Sequence, residues 1–369
     1  MSTHKAAVIT KDAAPGKFST IADVPIPTPG PNQILVKTVA IAANPTDWKH
    51  ILNGSQPGFI VGSDGSGIVT RIGSDVKDFK EGDFVSTFVH GSFSDKIGTF
   101  AEYFVANPNA TIKYDPSILK EDKVLKDGQT YPSGIIDSFE GAASVTLGLV
   151  TVVLSFSGNL NISKADKGKS ILIWGGAGAT GILAIQIAKQ AFGLNVITVA
   201  SPKNFEFLKS LGADHVFNYK DADVVDQIKA AANGDIRYAL DTVASDDSFK
   251  ATYAATYDSP EVTIDSLLFK GKEDVTDDGR EGKVDFAYTT LAYVVDGNVP
   301  LNFFGKVLDI TPESNASYES FWFNELPKLI PALRTANLKV LPKGLKNVDA
   351  ALDLLLQNQV SAEKVVLRV

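Results

Sequence analysis

Apolar and polar positions change rhythm along this chain, and each rhythm predicts a different kind of element. Ile34–Ala42 is β-branched and apolar with Lys37 as its one charge, the pattern of a buried strand. Residues 62–82 read as short strands split by Gly65, Gly67 and Gly73. Frequent turn signals between short strands make the part up to about Asp137 β-rich, a sandwich or barrel. From there to Asp309 the chain alternates. Ser170–Trp174 is a short apolar strand; 182–192 follows as a helix with Ile182, Ile185, Ala188 and Phe192 on one face. Asn195–Ala200, a helix over Phe205–Leu211 and a strand over 238–242 continue the series. Strand and helix in alternation predict a parallel sheet covered by helices. The charged stretch 273–282 reads as a plain solvated connection. After Leu326 the pattern gives a helix, a strand at 338–341, a helix at 348–357 and a closing strand at 364–369.

One segment challenges a water-soluble reading. Residues 141–163 carry no charge and are long enough to span a bilayer. They also contain Ser144, Thr146, Thr151, Ser155, Ser157, Asn159 and Asn161, so a buried helix and loop between two domains is the better expectation. Length supports two domains: 369 residues exceed one typical core. A formal charge of -8 disfavours nucleic acid and anionic membranes as partners. The chain has no cysteine, which removes disulfides, thiolate metal sites and a cysteine nucleophile. Residues 1–16 show no apolar signal core, and with the lack of cysteine this predicts a cytoplasmic location.

The chemistry concentrates where Ile171-Leu172-Ile173-Trp174 runs into Gly175-Gly176-Ala177-Gly178-Ala179-Thr180-Gly181. Gly176, Gly178 and Gly181 fit G-x-G-x-x-G with a strand before and a helix after, the context that gives the pattern meaning. Glycine lets backbone approach a pyrophosphate, and the N–H groups of the first helical turn, here at Ala179 and Thr180, favour anionic phosphate. The next strand ends at Ala200-Ser201-Pro202-Lys203 with no acid to bind ribose hydroxyls. Ser201 and Lys203 suit a 2′-phosphate, which predicts NADPH as cofactor; Ser201 is equally an ordinary N-cap. Tyr219 is a candidate neighbour of the adenosine phosphate or a half-buried tyrosine. The four histidines, His4, His50, His90 and His215, are scattered without ligand spacing, so no metal site is expected.

These blocks resemble the medium-chain dehydrogenase/reductase family over nearly the whole chain, and its zinc-independent branch most, the quinone oxidoreductase-like and fungal trans-acting enoyl reductase-like proteins. The resemblance is carried by Gly62-Ser63-Asp64-Gly65-Ser66-Gly67-Ile68-Val69, by Phe79-Lys80-Glu81-Gly82-Asp83-Phe84-Val85, by Asn44-Pro45-Thr46-Asp47-Trp48-Lys49, by 175–189 including Gln186, and by the last six residues. Ser63 stands where zinc-dependent members place a histidine ligand, and Asn44 where they place a cysteine. The resemblance implies an α/β protein: a GroES-like β-rich catalytic domain plus a Rossmann doubly wound parallel sheet. The expected division is 1–136 catalytic, 137–309 NADP(H)-binding, and 310–369 returning to the catalytic domain. The resemblance also implies a zinc-independent hydride transfer from NADPH to an activated double bond (enone or enoyl) or a quinone. Lys49 and Thr146 lie at positions similar to the active-site polar groups of the enoyl reductases, where a cation and a hydroxyl would stabilise an enolate-like oxygen. Each also has an ordinary reading, as a surface lysine and a core threonine. Asp47 reads as structural, holding a turn.

Trp48, Phe269 and Tyr288 are the candidate walls of a pocket for a small-molecule substrate. The protein is expected to be a monomer or a homodimer, the latter through an edge strand at 284–293 unless the charged stretch before it blocks that edge. Two other functions stay open at this point: an NADPH-dependent aldehyde or ketone reductase, and a catalytically inactive NADPH-binding sensor.

Overall fold

The computed structural model of the chain describes residues 2–276, 279–289, 294–295, 301–303, 306–308 and 311–369. By the density of contacts it divides into two compact units, Met1–Val150 with Pro331–Val369, and Thr151–Ile330. These units part at 150/151 and 330/331, against the 136/137 and 309/310 expected for the domains; residues 309 and 310 lie outside the described residues.

The first unit opens with a hairpin, β1 (Thr3–Ala14) and β2 (Lys17–Pro25). There follow β3 (Ile34–Ala42), α1 (Pro45–Leu52), β4 (Asp64–Ile72), β5 (Phe84–Phe88), β6 (Tyr103–Ala106), β7 (Thr111–Tyr114) and the short β8 (Thr130–Tyr131). Residues 62–82 are not split at each glycine as expected. β4 runs through Gly65 and Gly67, and a side chain on Gly67 would come within 2.0 Å of the Lys37 carbonyl oxygen on β3. Glycine is there for close strand approach, not as a turn. Two helices close this part, α2 (Phe139–Ala143) and α3 (Thr146–Val153). A π-helical turn over Leu154–Asn159 continues α3 into the second unit. Phe139–Asn159 is long and apolar enough to cross a membrane, with mean hydropathy 1.7, yet its apolar window is wholly buried inside the protein. It is a core helix in this fold.

The second unit is a six-stranded, all-parallel sheet. In chain order it comprises β9 (Ser170–Trp174), α4 (Ala179–Phe192), β10 (Asn195–Ala200), α5 (Phe205–Leu211), β11 (His215–Asn218), α6 (Val224–Ala231), β12 (Tyr238–Asp241), α7 (Asp246–Ala255), β13 (Glu261–Ser266) and β14 (Lys283–Tyr288). The spatial order is β11-β10-β9-β12-β13-β14, which is the doubly wound arrangement of two mononucleotide-binding halves. Its central strands β9 and β10 are almost continuously apolar because both faces are covered, and Leu172, Ile197, Val199, Phe249 and Ile264 pack in one core. β14 forms the edge of this sheet; the expected edge strand 284–293 is described only to Thr289, apart from its last four residues, which lie outside the described residues. The stretch 273–282 is not a bare connection either. Arg280 lies over the Tyr253 and Tyr257 rings, and its guanidinium donates to the Thr256 hydroxyl and carbonyl. A small hairpin, β15 (Leu301–Phe303) and β16 (Lys306–Leu308), precedes α8 (Pro312–Asn324) and α9 (Leu326–Leu329). The sequence reading gave α8 to the catalytic domain. It belongs here because it packs on the π-turn and stacks Phe321 on Phe192 of α4 at 5.6 Å.

The chain then returns to the first unit with β17 (Asn337–Val340), α10 (Val348–Leu356) and β18 (Glu363–Arg368). β18 inserts beside β3, giving the order β7-β5-β4-β3-β18-β17-β8. Phe18, Ile41, Phe100, Val348, Leu352, Val365 and Leu367 form the core beneath it.

Candidate functional site

Gly175 ends β9 with φ +89°, a backbone that disfavours any residue with a side chain, and turns the chain toward α4. The three motif glycines then separate by role. A Cβ on Gly176 would come within 2.1 Å of the Thr198 hydroxyl, and one on Gly181 within 2.4 Å of the Gly175 carbonyl oxygen. Both are needed for strand and helix to pack. Gly178 is different: its φ of -70° suits any residue, and a Cβ there would meet only the Gly175 carbonyl oxygen, at 3.3 Å. It is exposed and forms the N-cap of α4. The first helical bond runs from the Ile182 N–H to the Gly178 carbonyl at 2.9 Å, so the N–H groups of Ala179, Thr180 and Gly181 precede it and face outward at the positive end of a 14-residue helix. An exposed glycine at the start of a helix, beside N–H groups that precede the first helical bond, fits a pyrophosphate.

Ser201 and Tyr219 follow directly on Ala200 and Asn218, which are register partners on β10 and β11, so both lie at the carboxyl ends of adjacent strands. Ser201 stands at the N-cap of a 3-10 turn over Pro202–Asn204, the position of the ordinary alternative, but its hydroxyl makes no capping bond. Lys203 is exposed, and Tyr219 is 44% exposed with the Lys220 ammonium 5.8 Å from its ring centre. Lys220 is a second cation at this edge that the sequence reading passed over; its signal was its place two residues past a strand end.

The carboxyl ends of β12, β13 and β14 carry a different surface. Val243, Leu268 and Tyr288 stand exposed there, and Phe269 meets Tyr288 edge-on at 5.2 Å. The two candidate wall residues of this unit are thus brought together. Beneath them Asp241 is buried and accepts from the Val243 and Ala244 N–H groups and the Ser248 hydroxyl, which pins the turn after β12.

Trp48, Lys49 and Thr146 lie in the first unit. Lys49 is exposed near the end of α1 with its ammonium 5.7 Å from the Trp48 ring centre. Thr146 is fully buried, its hydroxyl 2.6 Å from that of Ser86, which in turn lies 2.8 Å from the Tyr114 hydroxyl. Asn44 caps α1, and Asp47 accepts from the Asn44 N–H at 2.8 Å, which is the turn-holding role expected of it. His50 and His90 gather with Phe88 and Phe93 into one aromatic cluster, Phe93 being exposed at its surface. Burial holds both imidazoles neutral, lowering His50 to about 4 and His90 to about 3.

The two positions where a zinc ligand would be sought are occupied by other chemistry. Ser63 donates to Asp47 at 2.7 Å, and the Asn44 amide donates to Asp64 at 2.9 Å. The Lys364 ammonium, itself buried, bonds the Asn44 side-chain oxygen and lies 3.1 Å from Asp64. An amide, a hydroxyl and a resident ammonium do not fit a zinc ion, which requires thiolate, imidazole or free carboxylate. Among the described residues no three histidine or acidic side chains converge as a metal set.

Comparison with known proteins agrees with both halves. Residues 30–116 match the alcohol dehydrogenase GroES-like domain, and 179–276 the zinc-binding dehydrogenase domain. The Saccharomyces cerevisiae protein YNL134C is 34% identical over 99% of this chain and 97% of its own length. The trans-enoyl reductase TOXD of Cochliobolus carbonum is 39% identical over 66% of this chain and 77% of its own. The quinone oxidoreductase of Coxiella burnetii shares the fold, with a TM-score of 0.67 at 24% identity over the full length of both chains. The chain belongs to the medium-chain dehydrogenase/reductase family, an oxidoreductase built from a GroES-like unit and a Rossmann-type parallel sheet.

Proposed function

We propose that this protein is an NADPH-dependent, zinc-independent reductase of activated double bonds, enones or enoyl thioesters, or of quinones. The observation that carries the cofactor assignment is the pairing of an open phosphate cradle at Gly178 with Ser201 and Lys203 at the next strand end, where no acid competes for the ribose. Gly176, Ala179, Thr180 and Gly181 build the cradle; Ser201, Lys203 and Tyr219, with Lys220, surround the place of the 2′-phosphate. The cofactor supplies a hydride when bound. Negative charge then grows on the substrate oxygen, and a positioned cation and hydroxyl stabilise it better in the transition state than in the ground state. Lys49 is the exposed cation for that role, and Thr146 the hydroxyl, backed by Ser86 and Tyr114. The similarity to a trans-enoyl reductase and the fold shared with a quinone oxidoreductase support this choice of acceptors. The absence of cysteine suits a reducing, cytoplasmic setting.

The test is oxidation of NADPH and NADH against a panel of enones, quinones and aldehydes, with and without a chelator. Turnover of enones or quinones, faster with NADPH and insensitive to chelation, is expected. Aldehyde turnover alone would move the hydride to a carbonyl carbon, and tight NADPH binding with no turnover would make the protein a sensor. For the catalytic pair, Lys49→Ala or Thr146→Val should lower kcat by about 10–1,000-fold with little change in NADPH affinity. Unchanged single-turnover rates in both would remove them from the reaction.

A further inference from the structure

Asp265 is a fully buried carboxyl at the carboxyl end of β13, with no ion pair to a cation among the described residues. The Thr289 hydroxyl, just past the end of β14, donates to its Oδ2 at 2.6 Å. The Asn159 amide, on the π-turn, reaches the same oxygen at 3.4 Å and the Thr289 hydroxyl at 3.3 Å. The Ser155 hydroxyl also faces the carboxyl and favours its ionised form, though the pair falls short of a well-formed hydrogen bond among the described residues. Burial raises the carboxyl's affinity for its proton, and the neutral acid is the form such a site tolerates. A buried acid lacking an ion pair is costly to keep for stability alone. What it joins is specific: the π-turn, the segment Ser266-Leu267-Leu268-Phe269 that leaves β13, and the Tyr288-Thr289 step that ends β14. Those two strand ends carry the Phe269–Tyr288 pair.

We propose that Asp265 is a positioning residue for the nicotinamide half of the cofactor crevice, fixing through Thr289 and Asn159 the strand ends that hold the Phe269–Tyr288 wall. In a doubly wound sheet the dinucleotide lies across the carboxyl ends of both halves. The Gly178 cradle and Ser201 mark the first half, so the apolar ends of β12 to β14 receive the other mononucleotide. A flat nicotinamide binds well only where its wall is already ordered, because ordering aromatic side chains on binding subtracts from affinity. Asp265 does that ordering from below without touching the ligand. The proposal rests on reading the crevice as a dinucleotide site.

The test separates the two halves of the ligand. Affinities of the full-length protein for NADPH and for 2′,5′-ADP are measured by calorimetry, with the emission spectrum of bound NADPH, in the parent, Asp265→Leu, Asp265→Asn and Thr289→Val. In Asp265→Leu and Thr289→Val, NADPH binding should weaken about tenfold and its emission should shift toward that of free NADPH, with 2′,5′-ADP affinity unchanged. Asp265→Asn keeps an acceptor for Thr289 and needs no charge, so it should stay within about threefold of the parent. Thr289→Val covers the case in which Asp265→Leu does not fold. Parent-like NADPH affinity and emission in Thr289→Val, or equal losses of NADPH and 2′,5′-ADP, would overturn the proposal. If the parent prefers NADH, the NADPH reading fails by itself, and the same variants with NADH and ADP-ribose still decide the role of Asp265. A parent that binds neither dinucleotide overturns both.

Discussion

Gly178 has an ordinary backbone, and a Cβ there would meet only the Gly175 carbonyl oxygen, at a tight 3.3 Å, so a bound phosphate would be the larger obstacle to a side chain. Gly178→Val puts a branched residue at the N-cap of α4 and should cost about 1 kcal/mol of stability while the protein still folds, and should weaken NADPH by tenfold or more, about 1.4 kcal/mol or above. A variant that binds NADPH as tightly as the parent would place the phosphates elsewhere. Lys203→Glu at the strand end should cost about tenfold in NADPH affinity and little in NADH affinity, the scale of one charge-assisted hydrogen bond. Equal losses for both cofactors would detach Lys203 from the 2′-phosphate. The residue types at this edge were legible in the sequence because strand, turn and helix are contiguous there. Lys220 and Asp265 were not, since only the folded sheet sets β10 beside β11 and β13 beside β14.

At the scale of elements, the parallel half was the most readable. Ser170–Trp174 and Asn195–Ala200 occur with the bounds the pattern gives, because short apolar runs admit few alternatives in a sheet buried on both faces, and the helix Phe205–Leu211 between strands likewise keeps its expected bounds. Ile34–Ala42 was read as well for the same reason. The β-rich half misled where glycine serves packing across strands. Gly65 and Gly67 look like turns in sequence and are mid-strand positions in β4, each pressed by a neighbour. Gly67→Ala accordingly predicts a loss of stability of about 1–3 kcal/mol through displacement of β3 from β4, read by urea unfolding. An unchanged midpoint would mean that the two strands separate without cost. The extent of α8 and its allegiance to the second unit were hidden for another reason. Its partner, the π-turn, lies more than a hundred residues earlier in the chain, and neither surface announces the other.

The whole molecule adds a property that no single segment contains. Asn44, Asp47, Ser63 and Asp64 come from one end of the chain and Lys364 from the other, and they meet because β18 enters the sheet beside β3. Burial dominates the Asp47 carboxyl and pushes it up to about 7, against the opposing pull of the Ser63 hydroxyl, the Asn44 N–H and the Lys364 ammonium; Asp64 beside it adds to the rise. The consequence for stability is opposite in sign to that of an exposed, salt-bridged aspartate. Between pH 4 and 7 the unfolded chain has released this proton and the folded chain still holds it, so unfolding releases a proton and stability falls as pH rises. The contribution is fully present below about pH 4 and is lost as pH passes through 7, at a slope of up to about 1.4 kcal/mol per pH unit. Asp64, raised in the same direction by burial, steepens the trend. Asp47→Asn removes one of the two titrations while keeping an acceptor for the Asn44 N–H. Urea unfolding of both proteins at pH 5, 6, 7 and 8 should show the variant gaining on the parent with each step upward. Parallel profiles would mean that Asp47 is ionised in the folded state throughout, and that the Lys364 ammonium, rather than a held proton, balances the charge at the junction of the two chain ends.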